Sequence, residues 1–259
     1  MKVVILAGGL GTRISEESTL KPKPMIEIGG MPVLWHIMKT YSFYGFHDFI
    51  ICAGYKQHLI KEWFADYFLY TSDITFDYTS GGNEMIVHNK RTEPWRVTVV
   101  DSGLHTQTGG RVKRVRNYIG NETFMLTYGD GVADVNLEEM LRFHKSHGKI
   151  GTVCLYNFGQ SKGVVETGRD GMISSFREKS DMDGDLINIG FMAMEPAVFD
   201  YIDDDETPFE RAPMNRLVAE RQLMGFIHRG YWQCMDTLQE KRRLETLWNA
   251  GNAPWKVWE

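Results

Sequence analysis

Residues 1–24 read MKVVILAGGLGTRISEESTLKPKP, a short apolar segment followed at once by a glycine-rich turn. The apolar residues 3–7 predict a buried strand, and residues 8–11, at its carboxyl end, contain three glycines. Glycines allow backbone N–H groups to converge on an anion, and Arg13 adds a positively charged guanidinium beside them. The stretch therefore predicts a phosphate-binding loop, and the structural alternative is a tight turn that needs positive φ at one glycine.

Two common nucleotide-binding patterns do not fit this turn. The P-loop requires Gly-Lys followed by Ser or Thr, whereas here no lysine follows the glycines before Lys21. The dinucleotide fingerprint requires a third glycine three positions after the second and an acidic residue for the ribose, and the sequence has neither at the expected spacing. The turn therefore argues against a P-loop nucleotidase and against a nicotinamide-dependent oxidoreductase.

Composition indicates a soluble globular protein. The chain has 259 residues, of which 42% are hydrophobic and 24% are charged, so it can bury a substantial core in one domain. A formal net charge of −5 argues against a general nucleic-acid binder, although a small nucleotide could still bind where local charge favours it.

The cysteines and the apolar segments predict where the protein resides. Cys52, Cys154 and Cys234 are far apart and odd in number, which favours neither a disulfide framework nor a zinc site. The first apolar run is too short for a signal-peptide core, and no later run approaches the length of a membrane span. We therefore expect a cytoplasmic protein with no membrane partner.

The alternation of short strands with helical patterns predicts an α/β fold with a mostly parallel sheet. In the first half, the predicted strands are 3–7, 48–52, 95–100 and 124–128, and the predicted helices are 33–44, 57–67, 111–120 and 137–148. In the second half, residues 163–176 predict a hairpin, 187–194 and 224–235 predict strands, and 196–202, 215–223 and 238–251 predict helices. The hairpin makes the expected sheet mixed. Trp255 and Trp258 indicate packing or a subunit contact rather than a base-stacking surface.

Two aspartates are candidates for holding Mg²⁺. Asp130 follows the predicted strand 124–128, at the edge where open α/β sheets bind ligands. Magnesium takes one or two protein carboxylates beside phosphate oxygens, and Asp236 could supply the second. The alternative for each aspartate is a turn or N-cap role, and spacing alone does not pair them.

Lysines provide candidate phosphate contacts. Lys23 lies between Pro22 and Pro24, which hold its backbone in a rigid extended segment and suit it to a phosphate. A solvated loop lysine is the alternative. The pair Glu178-Lys179, after the predicted hairpin, is a weaker signal of the same kind.

Taken together, LAGGLGTR (6–13), KPKPM (21–25), YGDGV (128–132), the Glu-Lys pair after the hairpin and WQCMDT (232–237) resemble the sugar-1-phosphate nucleotidylyltransferases. The resemblance covers essentially the whole chain. Within that family, residues 29–56, 127–136 and 253–259 are similar to the cytidylyltransferases that act on glucose 1-phosphate. This narrower resemblance implies CTP as the nucleotide.

The resemblance implies a fold, an activity and partners. The fold would be α/β of the nucleotide-diphospho-sugar transferase type, a Rossmann-like mixed, mostly parallel sheet flanked by helices, with a small C-terminal part. A single nucleotidyltransferase domain would cover 1–259, with a nucleotide-binding half in roughly 1–150 and a sugar-phosphate and C-terminal half in 151–259. The enzyme would use Mg²⁺ to make a CDP-sugar and pyrophosphate for nucleotide-sugar and lipopolysaccharide biosynthesis. It would form a homo-oligomer, with a hexamer as one candidate state.

Carried over by position, the resemblance also implies roles for individual residues. The implied nucleotide-binding residues are Leu6, Ala7, Gly8, Gly9, Gly11, Thr12, Arg13, Lys23, Thr106, Gly110, Arg111 and Gly129, with Arg111 reading the pyrimidine. The implied metal ligands are Asp130 and Asp236, and the implied sugar-phosphate pocket is Gly163, Glu178, Lys179 and Asn188. Arg13, Lys23, Asp130 and Lys179 would be the catalytic residues.

Three departures from the family pattern concern the sugar pocket. They are Ile189 after Asn188, Ser161-Lys162 before Gly163, and Ala212 before Pro213-Met214. A bulky Ile189 is expected to intrude near the sugar. The sequence therefore leaves open another nucleotide, another sugar 1-phosphate, or a catalytically silent sugar-nucleotide sensor, although a sensor has little use for two metal carboxylates.

Overall fold

A computed structural model describes residues 1–79, 81–89, 92–157, 164–167, 172–177 and 186–259. Within these ranges the chain forms fifteen β-strands and eight α-helices. The strands are β1 (Lys2–Ala7), β2 (Glu27–Ile28), β3 (Met31–Pro32), β4 (Asp48–Ala53), β5 (Asp73–Asp77), β6 (Glu84–His88), β7 (Arg96–Asp101), β8 (Phe124–Tyr128), β9 (Gly131–Ala133), β10 (Gly151–Asn157), β11 (Val164–Thr167), β12 (Ile173–Arg177), β13 (Leu186–Met194), β14 (Leu223–His228) and β15 (Trp232–Cys234). The α-helices are α1 (Ser15–Ser18), α2 (Val33–Phe43), α3 (Gln57–Thr71), α4 (Thr108–Arg114), α5 (Arg116–Ile119), α6 (Leu137–His147), α7 (Ala212–Ala219) and α8 (Leu238–Asn249). Short 3₁₀ helices span Thr12–Ile14, Lys23–Met25 and Pro196–Tyr201.

Seven strands form the central sheet, in the order β14-β10-β13-β8-β1-β4-β7. Neighbouring strands are parallel except at β13, which runs antiparallel to both β10 and β8. The predicted mixed, mostly parallel sheet is therefore confirmed. The predicted hairpin is also present, as the antiparallel pair β11 and β12, although its turn lies outside the described residues.

Apolar side chains cover both faces of the sheet. Along β1, Val3 and Ile5 belong to one core, and Val4 and Leu6 belong to the other, because successive side chains of a strand point to opposite faces. Helices α2, α6 and α8 supply side chains to the first core, and α4, α5 and α7 supply the second. This two-sided burial explains why β1 reads as a continuous apolar run. No helix in the described ranges has both the length and the apolar character that crossing a membrane requires.

Several predicted elements differ from the structure. The single basic helix predicted at 111–120 is two short helices, α4 and α5, which meet at Val115. The strand predicted at 224–235 is two strands, β14 and β15, in different sheets. The chain bends between them at Gly230, where a Cβ would lie 2.3 Å from the Asp134 carboxylate. The helix predicted at 215–223 begins at Ala212 and ends at Ala219, since Leu223 already pairs with β10.

A buried histidine joins α2 to the C-terminal segment. His36 is 0% exposed, its Nε2 lies 2.9 Å from the Ile28 carbonyl, and the Trp255 indole N–H donates to Nδ1 at 3.4 Å. Trp248 packs edge-on against the imidazole, with ring centroids 4.6 Å apart. Burial lowers the pKa of His36 to about 4, so the ring stays neutral in the folded protein. Trp255 is therefore a packing residue of the core.

This histidine should make stability depend on pH. The unfolded histidine takes up a proton at its ordinary pKa of 6.5, whereas the folded one resists protonation to about 4. The neutral His36 therefore contributes fully to the free energy of unfolding above pH 6.5. This contribution is lost as the pH falls from 6.5 towards 4, and the loss is about 2 kcal/mol at pH 5. In urea unfolding, His36→Gln should be less stable at pH 7.5 but should lose less stability than wild type between pH 7.5 and 5. His58→Gln, on an exposed histidine, is the control, and equal losses in wild type and His36→Gln would contradict the assignment.

Candidate active site

The candidate site lies at the carboxyl edge of the central sheet. Strand β1 has β4 and β7 on one side and β8 on the other, so the loops that follow β1 and β8 diverge there. Such a switch point is where open α/β sheets bind ligands. A cavity of about 620 Å³ opens at this edge. At the base of the cavity the backbones of Leu6 and Gly129 approach closely, which requires a glycine, because a Cβ at Gly129 would lie 2.8 Å from the Leu6 carbonyl oxygen.

Most of the predicted site residues line this cavity. Those that do are Leu6, Ala7, Gly8, Gly9, Gly11, Thr12, Lys23, Thr106, Arg111, Gly129, Asp130, Asn188 and Asp236. Gly110 does not; it packs against Asp205, whose Cα would lie 2.6 Å from a Cβ at Gly110. Gly163, Glu178 and Lys179 lie outside the described residues, as does the side chain of Arg13.

The two candidate metal ligands, far apart in the sequence, lie close together in the fold. Strand β15 pairs antiparallel with β9, and the Met235 N–H donates to the Asp130 carbonyl at 2.8 Å. This pairing places Asp236 beside Asp130. The ammonium of Lys23 forms ion pairs with both carboxylates, at 2.6 Å from Oδ2 of Asp130 and also with Oδ1 of Asp236.

One ammonium faces two carboxylates in this triad. Lys23 is only 8% exposed, and burial by itself lowers the pKa of its ammonium. The charges of Asp130 and Asp236, and the hydrogen bonds to them, outweigh that effect and raise the pKa above its ordinary value. Lys23 is therefore a fixed cation at the floor of the cavity.

Arg111 ties the glycine loop to the loop after β7. Its guanidinium donates to the carbonyl of Gly8 at 3.0 Å, to the carbonyl of Gly103 at 2.8 Å and to the hydroxyl of Ser102 at 2.7 Å. The sequence predicts that Arg111 reads the pyrimidine. In the structure its N–H groups support the backbone on which the cavity is built.

Gly8 and Gly9 provide a matched pair of substitutions. A Cβ at Gly8 would lie 2.0 Å from Nη1 of Arg111, whereas a Cβ at Gly9 meets no atom within 4 Å among the described residues. Gly8→Ala should displace the buried guanidinium and lower the free energy of unfolding by about 1–3 kcal/mol. Gly9→Ala should change it by less than about 0.5 kcal/mol. Urea titration of both variants tests this, and equal losses would show that Arg111 does not depend on the space at Gly8.

The cavity also contains side chains to which the sequence analysis did not assign individual roles in the site. They are Pro24, Gln107, Thr108, Tyr128, Glu210, Trp232 and Cys234. Tyr128 directly precedes Gly129-Asp130 and could have been inferred from that position. Glu210 had no such signal, because it lies in a loop that only the tertiary fold brings to the site. Burial raises the pKa of the Cys234 thiol to about 12, so it stays protonated.

Ile189 borders the cavity but does not fill it. It is 3% exposed and belongs to the same core as Cys154 and Phe191. Most of its surface is therefore packed inside the protein, and the remainder lines the cavity beside Asn188, so its intrusion near the sugar stays a prediction. The adjacent Asn188 accepts a hydrogen bond from the Gly190 N–H at 2.8 Å.

Comparisons with known proteins agree with this geometry. A sequence model of the nucleotidyl transferase family matches residues 2–239. A glucose-1-phosphate cytidylyltransferase from Salmonella typhimurium is 54% identical over the full length of both chains. One from Salmonella typhi is 53% identical, again over all of both chains.

Solved structures share the fold. HddC from Yersinia pseudotuberculosis, complexed with GMP-PN, superposes with a TM-score of 0.67 at 20% identity, over 95% of this chain and 99% of that one. The prediction of a nucleotide-diphospho-sugar transferase fold is confirmed.

Proposed function

The chain belongs to the nucleotidyl transferase family, and on that premise we propose that it transfers a cytidylyl group from CTP to glucose 1-phosphate, giving CDP-glucose and pyrophosphate. One observation carries the proposal: Lys23, Asp130 and Asp236 meet in a cavity that also contains the glycine loop. The full-length relatives, by their names, supply the choice of nucleotide and sugar.

The reaction is an in-line attack by a phosphate oxygen of glucose 1-phosphate on the α-phosphorus of CTP. The new P–O bond forms as the bond to the β-phosphate oxygen breaks, and pyrophosphate leaves with the electron pair. Phosphoryl-type transfer of this kind depends on positioning and on charge stabilisation rather than on covalent catalysis. The protein therefore needs fixed donors and cations around the phosphates.

The residues divide this work. Backbone N–H groups of the turn at 8–11, with Arg13, receive the leaving pyrophosphate. Lys23 neutralises charge on the triphosphate. Asn188 and, from the family resemblance, Lys179 bind the sugar phosphate.

Asp130 and Asp236 fit a Mg²⁺ ion. Both carboxylates already contact one cation, the ammonium of Lys23, so the point between them favours positive charge. Among the described residues no cluster of three or more His, Cys, Asp or Glu could hold a metal, and two carboxylates completed by water and phosphate oxygens are a usual magnesium set. When bound, Mg²⁺ neutralises developing phosphate charge.

Pyrophosphate release in the presence of Mg²⁺ tests the proposal. CTP, UTP, dTTP and ATP are each offered with glucose 1-phosphate, mannose 1-phosphate and galactose 1-phosphate. We expect turnover to be fastest with CTP and glucose 1-phosphate. Turnover with CTP and only another sugar 1-phosphate would show that glucose 1-phosphate is not the substrate. No turnover with any pair would favour the catalytically silent sensor.

A further inference from the structure

Glu210 contacts two sides of the cavity at once. It lies just before α7, and its carboxylate accepts a hydrogen bond from the Thr108 hydroxyl at 2.6 Å and another from the Tyr128 hydroxyl at 2.7 Å. Thr108 begins α4, and Tyr128 ends β8, two residues before Asp130. One side chain thus connects two walls that are built from different parts of the fold.

The donor and the acceptor of each hydrogen bond around Glu210 can be assigned. An ionised carboxylate only accepts, so both hydroxyl protons point to Glu210. The Phe209 N–H donates to the Thr108 hydroxyl oxygen at 2.8 Å. On the other side, Nδ2 of Asn188 approaches the Tyr128 hydroxyl oxygen at 3.5 Å and can only donate to it. The two hydrogen bonds that the Glu210 carboxylate accepts are charge-assisted, and such bonds are stronger than those between neutral groups.

Two hydrogen bonds set the orientation of the Asn188 amide. Its Oδ1 accepts from the Gly190 N–H, and one hydrogen of Nδ2 points towards Tyr128. No partner for the second Nδ2 hydrogen is found in the part of the chain that the structure describes, which leaves that hydrogen available to a sugar hydroxyl.

We propose that Glu210 is a positioning residue for the sugar 1-phosphate: it holds the Tyr128 phenol and, through it, the Asn188 amide in the orientation that binds the sugar. The role rests on the function proposed above. Its effect should fall on the sugar phosphate, because the amide that it orients through Tyr128 is that of Asn188, which the family resemblance assigns to the sugar-phosphate pocket.

Steady-state kinetics on Glu210→Ala, Tyr128→Phe and the double variant test the proposal. Glu210→Ala should raise KM for the sugar 1-phosphate about tenfold, the usual cost of one or two lost polar contacts, and should change KM for CTP and kcat by less than about threefold. Because Glu210 acts through Tyr128, the double variant should be no worse than the more affected single variant. Glu210→Gln keeps an acceptor for Tyr128 and should recover most of the loss. Glu206→Ala, which removes an exposed carboxylate from the same loop before α7, is the control.

Three results would overturn the proposal: additive effects in the double variant, an unchanged KM for the sugar, or equal rises in both KM values together with a fall in Tm. A crystal structure of Glu210→Ala gives a readout independent of the substrates. Tyr128 and Asn188 should leave their positions there, and unchanged positions would refute the role whatever the enzyme acts on. Absence of wild-type turnover with CTP and glucose 1-phosphate, by contrast, would refute only the proposed function.

Discussion

Asp130→Asn should lower kcat by about 100- to 1,000-fold, the loss typical when one group that stabilises transition-state charge is removed. The substitution keeps the size of the side chain and removes the charge that faces Lys23 and any bound Mg²⁺. Lys23 retains Asp236 as a partner, so the fold should survive. Pyrophosphate release measures the loss, and circular dichroism checks the fold.

Asp200→Asn is the matched control for this result, because Asp200 is exposed, pairs with Arg116 and does not line the cavity. Its kcat should equal that of wild type. Near-normal turnover by Asp130→Asn would remove Asp130 from the proposed metal site.

Lys23→Met should have a comparable effect on turnover, about 100-fold or more, because it removes the buried cation at the floor of the cavity. It also leaves Asp130 and Asp236 facing one another without a positive charge between them. The variant should therefore have a lower Tm in EDTA, and added Mg²⁺ should raise its Tm by more than it raises that of wild type.

Lys21→Met is the corresponding control, two residues away in the same segment. Lys21 forms a half-exposed ion pair with Glu27 and does not line the cavity. Its turnover and its response to Mg²⁺ should match those of wild type. Equal responses of Lys23→Met and wild type to Mg²⁺ would show that the metal binds elsewhere.

The parts of the fold and site that could be predicted are those set by local sequence. The strand 3–7 and the glycine turn after it are adjacent in the chain, so periodicity and glycine content were enough to place both. Asp130 was found in the same way, directly after a buried strand. These features depend on residues within a few positions of one another.

The remainder depends on contacts between distant segments. Asp236 reaches Asp130 only because β15 pairs with β9, and no spacing rule records that pairing. Glu210 enters the cavity by the packing of its loop against α4. Ile189 lines the cavity beside Asn188, but most of its side chain packs in the first core, and its position along the chain did not indicate that burial.

The Trp255–His36 contact has a consequence for how the protein is made. The two residues are 219 positions apart, and the helix that carries His36 packs its apolar side against the first core. The ribosome adds Trp255 long after His36, so the part of α2 around His36 lacks this partner while the residues between them are made. Closure of this part of the core is a late, long-range event, because the contact needs a segment 219 positions further along the chain.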